Sequence, residues 1–298
     1  MEFWFEVAAK IATYAAMLLL IGGLGLRWLL LPLVEARAQL AQLPGAPPKP
    51  ASAAGIVDAA ASADRLVLRC AVILIVALLL RVVAHTIAAF GPTDAWALEN
   101  LRLIALESQW GLQWQPQAMA AVAVAIAALV GLTHRAGRYA TIAAAAALCF
   151  LLPRLGHAAG ETDRVLVHGF HIIAGGLWVG TLAAVVTSTS PAVQQLRPSL
   201  LNAFAPVAMT CVAMLVVSGA FAVWTYLGPV SNLWTTPYGR LLAVKLFMVL
   251  DALTLGGLNW RRMHRHNRPP EKAFAIAETI LAAAIVIVTG WLTETGHP

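Results

Sequence analysis

Residues Pro153–Gly180 read PRLGHAAGETDRVLVHGFHIIAGGLWVG, and the way this stretch passes from polar to apolar decides the fold class. From Val165 the chain stays apolar as far as about Thr189, a length that crosses the roughly 30 Å hydrocarbon layer of a bilayer as a helix of about 20 residues. The run opens with His168 and His171, which share a helix face because residues three apart are neighbours there. His157 lies just across a short polar loop. Imidazoles at the mouth of a membrane helix suit a borderline or soft cation, and the AGG that follows lets another helix pack closely. The plainer alternative is that these histidines cap helix ends and satisfy buried backbone groups. Ionisable side chains inside a membrane are costly to keep, which favours a functional role.

Composition agrees with a membrane protein. The chain is 60% hydrophobic and 11% charged, whereas a soluble domain carries about a quarter charged residues. Its 20 Lys and Arg against 14 Asp and Glu fall in short loops between apolar runs, where they act as topology signals and imply no nucleic acid. The opening MEFWFEVAAK has no basic leader region and no small-residue cleavage site, so it is expected to be kept as the start of the first helix. Cys70, Cys149 and Cys211 lie inside apolar runs without C-x-x-C spacing. That argues for packing rather than for a disulfide framework or a zinc site.

The expected fold is an all-α bundle of about eight transmembrane helices, 1–298 forming a single integral membrane domain. The spans are expected near 4–34, 66–90, 117–132, 140–155, 165–189, 201–227, 241–260 and 273–293. The segment 35–64, rich in Pro, Ala and Ser, is expected to be a cytoplasmic surface linker. TDAWALENLRLIALESQW, 93–110, is expected to lie as an interfacial amphipathic helix.

Lys and Arg concentrate in alternate loops: Arg37, Lys49 and Arg65, then Arg135 and Arg138, then Arg197, then RRMHRHNR at 261–268. The positive-inside rule makes that side cytoplasmic and both termini periplasmic. His85, His157, His168, His171 and His297 then collect on the outer side. His134, His264 and His266 stay among arginines, where a cation is disfavoured. This sorting makes His157, His168, His171 and His85 the candidate metal ligands, with His297 a weaker addition from the tail.

Other polar or soft groups fall at membrane depth. Lys245 and Asp251 each need a partner if buried, and Arg81, Lys10 and Glu6 lie at compatible depths. Glu278 and Asn259 are placed to meet across the connection between the last two helices, as packing glue or as an exit gate. Met209 and Met214 flank Cys211, and thioethers suit Cu(I), although methionine is more often core filler. Trp178, two turns beyond His171, is placed to close the floor of the site. The other tryptophans gather toward the outer ends of their spans as an aromatic belt. No nucleotide-binding loop, dinucleotide fingerprint or nucleophile elbow occurs, so neither an enzyme nor an ATP-driven pump is expected.

Several motifs resemble the copper resistance protein D family of bacterial inner-membrane proteins. SGAFAVW at 218–224, TTPYGRLLAVK at 235–245 and GLNWRR at 257–262 are followed by a last apolar helix, so that 204–296 resembles the family's defining domain. Upstream, GHAAG at 156–160 and the His168, His171 pair followed by WVG look like its histidine-bearing segment. The resemblance implies copper transport across, or copper acquisition at, the inner membrane, contributing to homeostasis or resistance. A copper ion, Cu(I) or Cu(II), would be received by His157, His168 and His171, with Tyr238 and Lys245 in the signature segment. It also implies membrane lipid around the bundle and a separate periplasmic copper-binding protein of the C type as partner. Neutral imidazole is the ligating form, so binding is expected to weaken below about pH 6. Two other readings stay open. One is a haem-binding membrane cytochrome, which needs facing histidines such as His85 or His157 opposite His168 or His171. The other is a scaffold that binds copper for an oxidase without transporting it.

Overall fold

The structure, a computed structural model, describes residues 2–40, 53–156, 160–265 and 272–297. These residues are almost entirely helical, with no strand among them. Eight helices are long and apolar enough to cross a membrane. They are α1 (Phe3–Leu40), α2 (Ala53–Asp94), α3 (Gln109–Gly131), α4 (Arg135–Leu155), α5 (Thr162–Val186), α6 (Pro191–Tyr226), α7 (Pro237–Arg262) and α8 (Ala273–Leu292). The number agrees with the apolar runs of the sequence, and the chain reads as a multi-pass membrane protein. Several helices outrun those runs. Helix α6 starts at Pro191, whose missing N–H is no loss in a first turn, and α3 starts where the Ser108 hydroxyl accepts from the Gly111 N–H at 2.9 Å.

The linker expected over 35–64 is corrected at both ends, because α1 continues to Leu40 and α2 begins at Ala53. Prolines punctuate only 44–50, whereas 53–64 is largely alanine, the strongest helix former. Ala59, Ala60 and Ala63 put a small-residue face into the core beside Val34. Asp64 pairs with Arg27 of α1, Nε to Oδ1, at 3.3 Å. The amphipathic segment after α2 forms a short helix, Leu98–Arg102, continued by a π-helical turn, Leu103–Glu107. Gly91, with φ of +80°, takes the backbone out of helical geometry just ahead of Pro92.

Helix α1 occupies the middle of the bundle and packs on α2, α5 and α8. Its crossing with α5 is a backbone contact. A Cβ on Gly22 would meet the Gly180 and Thr181 backbone, one on Gly180 would meet the Leu18 carbonyl, and one on Gly176 would meet the Ile21 side chain. Small residues permit this approach where no water drives helices together. Both helices carry a π-helical turn near the crossing, Leu26–Leu30 in α1 and Gly176–Gly180 in α5. One apolar cluster lies beside it among α1, α2, α3 and α4, including Met17, Leu20, Leu74 and Leu148. The other joins the lower α1 to α5 and α6 through Leu30, Val185, Leu200 and Phe204. Helix α7 packs chiefly on α8 and is the least covered of the eight.

The eight spans alternate, so their ends fall on two faces of the bundle. We call the end holding Tyr226, Pro237 and Leu292 the histidine face, and the opposite end, with Leu40 and Ala53, the linker face. Gly180→Leu is expected to force α1 and α5 apart and to destabilise the protein by about 1–3 kcal/mol, the usual range for overpacking. Gly219→Ala, where an added Cβ meets nothing within 4 Å, is expected to be neutral. Thermal denaturation in detergent, scored by the fraction remaining monodisperse, reads both.

Candidate functional site

The first turns of α5, the last turn of α6, the first turns of α7 and the tail after α8 meet at the histidine face. His168 sits about 9 Å along α5 from Thr162, at about 1.5 Å per residue. Its Nε2 lies 3.2 Å from the Tyr226 hydroxyl, and the two rings stack with centroids 5.7 Å apart. The His297 ring stands 5.5 Å from Tyr226 and 6.5 Å from Tyr238. The Arg164 guanidinium lies 5.8 Å over the Tyr226 ring. Two imidazoles, two phenols and one cation therefore share this mouth. Tyr226, Tyr238 and Leu292 are buried in a small apolar cluster beneath it.

One turn deeper, His171 Nδ1 is 2.8 Å from the Ser218 hydroxyl of α6. That hydroxyl has a single proton and gives it to the Met214 carbonyl at 2.6 Å. The short bond therefore makes His171 the donor through Nδ1–H, and leaves Nε2 as the lone-pair nitrogen. An imidazole fixed in this way, one nitrogen donating to a protein oxygen and the other bare, is the arrangement that orients a metal ligand. Lys245, about 12 Å along α7 from Pro237, is close enough to act on His171 electrostatically, as is His168. It is half-buried, and no carboxylate among the described residues pairs with it.

The remaining candidates are placed differently. His157 lies outside the described residues. His85 is turned toward the α1 and α3 side, where its Nδ1 donates to Glu6 Oε1 at 3.3 Å and its ring stacks on Trp110 with centroids 4.5 Å apart. These partners differ from the Tyr226 and Ser218 hydroxyls that stand beside His168 and His171. Among the described residues no three His, Cys, Asp or Glu side chains are grouped closely enough to hold a metal ion. The partners proposed for Lys245 and Asp251 are engaged elsewhere: Lys10 Nζ pairs with Glu294 at 2.6 Å, Glu6 with His85, and Arg81 with the Trp110 ring at 5.9 Å.

Two expectations about an interior pathway are corrected. Met209 and Met214 are 59% and 38% exposed, while Cys211 between them is buried, so the sulfur atoms do not gather on one face. Asp251 is also exposed on α7. The cause is shared: a lipid-facing surface is as apolar as a bundle interior, so hydropathy does not separate the two faces of a membrane helix. Glu278 is buried and accepts a hydrogen bond from Trp178 Nε1 at 3.1 Å, from α8 to α5. Sequence reasoning placed Trp178 beneath the histidines but missed this partner, since no periodicity relates two residues one hundred positions apart. The belt is also partial. Trp4, Trp96, Trp224 and Trp234 are exposed, but Trp114 is buried and donates to the Leu78 carbonyl at 3.0 Å.

Comparison with known proteins gives a family match over part of the chain. Residues 198–292 match the family model described as Copper resistance protein D, so the resemblance seen in the sequence holds over the segment that contains Tyr226, Tyr238, Lys245 and Glu278. The chain is also similar to the Copper transport protein CutJ of Bacillus subtilis (strain 168), with 27% identity over 150 residues. That alignment covers 48% of this chain and 28% of the relative, so the chain spans little more than a quarter of the curated relative it matches. No solved structure matches.

The tautomer assigned to His171 is open to direct measurement. Nitrogen-15 NMR of histidine-labelled protein is expected to show His171 protonated at Nδ1 and bare at Nε2. Ser218→Ala is expected to broaden or split that signal, because the ring loses its anchor.

Proposed function

We propose that this protein, whose residues 198–292 match the family model described as Copper resistance protein D, takes part in copper transport or copper homeostasis at a bacterial inner membrane. The observation that carries this reading is the meeting of His168, His171, Tyr226, Tyr238 and His297 at one end of the bundle, formed in part by the matched segment. The histidine face is the periplasmic one in this proposal, since Lys and Arg crowd the other side. His168 and His171 receive the ion, with His157 as a third ligand in this proposal, and His297 approaches from the tail. His85 stands apart as a weaker ligand candidate.

His171 Nε2 supplies a preoriented lone pair. Binding through Nε2 of His168 exchanges its hydrogen bond with the Tyr226 hydroxyl for one coordination bond. A hydrogen bond of this kind contributes a net of about 1 kcal/mol, small against a metal–imidazole bond, so the exchange is no obstacle. The Lys245 ammonium repels a cation held nearby. An ion to be passed on must be bound well enough to enter and loosely enough to leave, and a neighbouring positive charge supplies the second condition. The cargo is copper in either oxidation state. A separate periplasmic copper-binding protein of the C type would deliver or accept it at this face.

The reading is tested by copper titration and by uptake into proteoliposomes. The His157→Ala, His168→Ala, His171→Ala triple variant is expected to lose at least about tenfold in copper affinity and to stop accumulating copper in the lumen. Ser218→Ala, which removes only the group orienting His171, is expected to lose about 10- to 100-fold in affinity, the usual effect of an outer-shell partner. A triple variant that binds and accumulates copper like the unaltered chain would overturn the assignment. Copper bound without luminal accumulation by the unaltered chain would make it a scaffold instead.

A further inference from the structure

We propose that Glu278 is the site of an exchangeable proton inside the membrane, held in the linker-face half of the bundle with Trp178 as its latch. Glu278 lies about 7 Å along α8 from Ala273, and Trp178 about 24 Å along α5 from Thr162, some two turns below His171. Glu278 is 6% exposed, and the Trp178 indole N–H is the hydrogen-bond donor to its carboxyl group, reaching Oε1 alone. A carboxylate accepts about four hydrogen bonds. One neutral donor is far too little to keep a buried charge in an apolar bundle, and such a group takes up a proton or a counter-ion instead.

Among the described residues the surroundings offer no fixed counter-ion. Helix α8 packs on α7, on α1 and on the last turns of α5. From α5 the neighbour is Trp178. From α7 it is Gly256, where an added Cβ would stand 3.3 Å from Oε1 and 3.5 Å from Oε2. On α1, Lys10 pairs with Glu294 and Arg27 with Asp64, while Glu35 and Arg37, nearer the linker face, are exposed. On α7, Asp251 is exposed, and among the described residues no charged side chain, Lys245, Arg261 and Arg262 included, acts on Glu278. Both carboxyl oxygens lie within 3.5 Å of where a side chain at Gly256 would begin. A glycine in mid-helix, costing up to about 1 kcal/mol against alanine, keeps that side of the carboxyl group free of a Cβ.

The exchange is simple to balance. The proton leaves Oε2 for water at the linker face, the negative charge stays on the carboxylate, and Trp178 N–H continues to hold Oε1. The reverse step restores the acid. On the copper reading, on which this last clause rests, the charge left behind compensates a cation arriving from the histidine face.

Infrared spectroscopy of the purified full chain tests the proton site without copper. At neutral pH we expect a protonated-carboxyl C=O absorption that shifts on transfer to D2O within minutes, vanishes in Glu278→Gln and moves to higher frequency in Trp178→Phe, which removes the donor to Oε1. Glu278→Gln keeps an acceptor for Trp178, so it is expected to fold. Absence of the absorption from the unaltered chain, or its survival in Glu278→Gln, would overturn the proposal. So would an absorption that ignores D2O, since that marks a locked acid of purely structural use. None of these outcomes depends on copper, so this proposal and the histidine assignment fail separately.

Discussion

The contact between the backbones of α1 and α5 sets the rest of the arrangement. Gly22, Gly176 and Gly180 bring the two helices together where a single methyl group would collide with main chain or with Ile21. Helix α5 is thereby fixed in depth and rotation against the most covered helix of the bundle, and it carries His168, His171 and Trp178 with it. In lipid no hydrophobic effect draws helices together, so shape does that work. The polar groups along α5 then find partners one by one: Tyr226 and Ser218 on α6, Glu278 on α8.

This gives α5 a ladder of polar side chains from one membrane face to the other. At the mouth the groups are aromatic and imidazole; one turn in, they are an imidazole, a hydroxyl and an ammonium; deeper still, an indole and a carboxyl group. The first two rungs tie α5 to α6 and the deepest ties it to α8. A shift of α5 against α1 would therefore strain several hydrogen bonds together, and the π-helical turns at Leu26–Leu30 and Gly176–Gly180 lie where such a shift would be taken up, as such turns often do at functional positions.

Much of this was legible in the sequence. Eight spans, the clustering of His85, His168 and His297 at one end, and the depth of Trp178 all follow from run length and helical spacing, because membrane thickness imposes both. What was not legible depends on rotation about the helix axis. Met209 and Met214 face outward and Cys211 inward, yet all three are equally apolar. His85 shares a membrane face with His168 but turns toward Glu6 and Trp110. Pairings across the bundle, such as Trp178 with Glu278 or Lys10 with Glu294, join residues far apart in the chain, and periodicity cannot supply them. The linker erred for another reason: composition marked all of 35–64 as irregular, although its prolines occupy only the middle and its alanine-rich flank packs well.

His297 lies over Tyr226 and Tyr238, which puts the tail directly above the imidazole cluster. An affinity handle of consecutive histidines appended after Pro298 would hang extra nitrogen donors over the same opening, at an effective concentration in the millimolar range for a short flexible tether. Copper stoichiometries measured on protein purified in that way would count the handle together with the proposed site. A different handle, or one removed before titration, is therefore a requirement of the architecture itself.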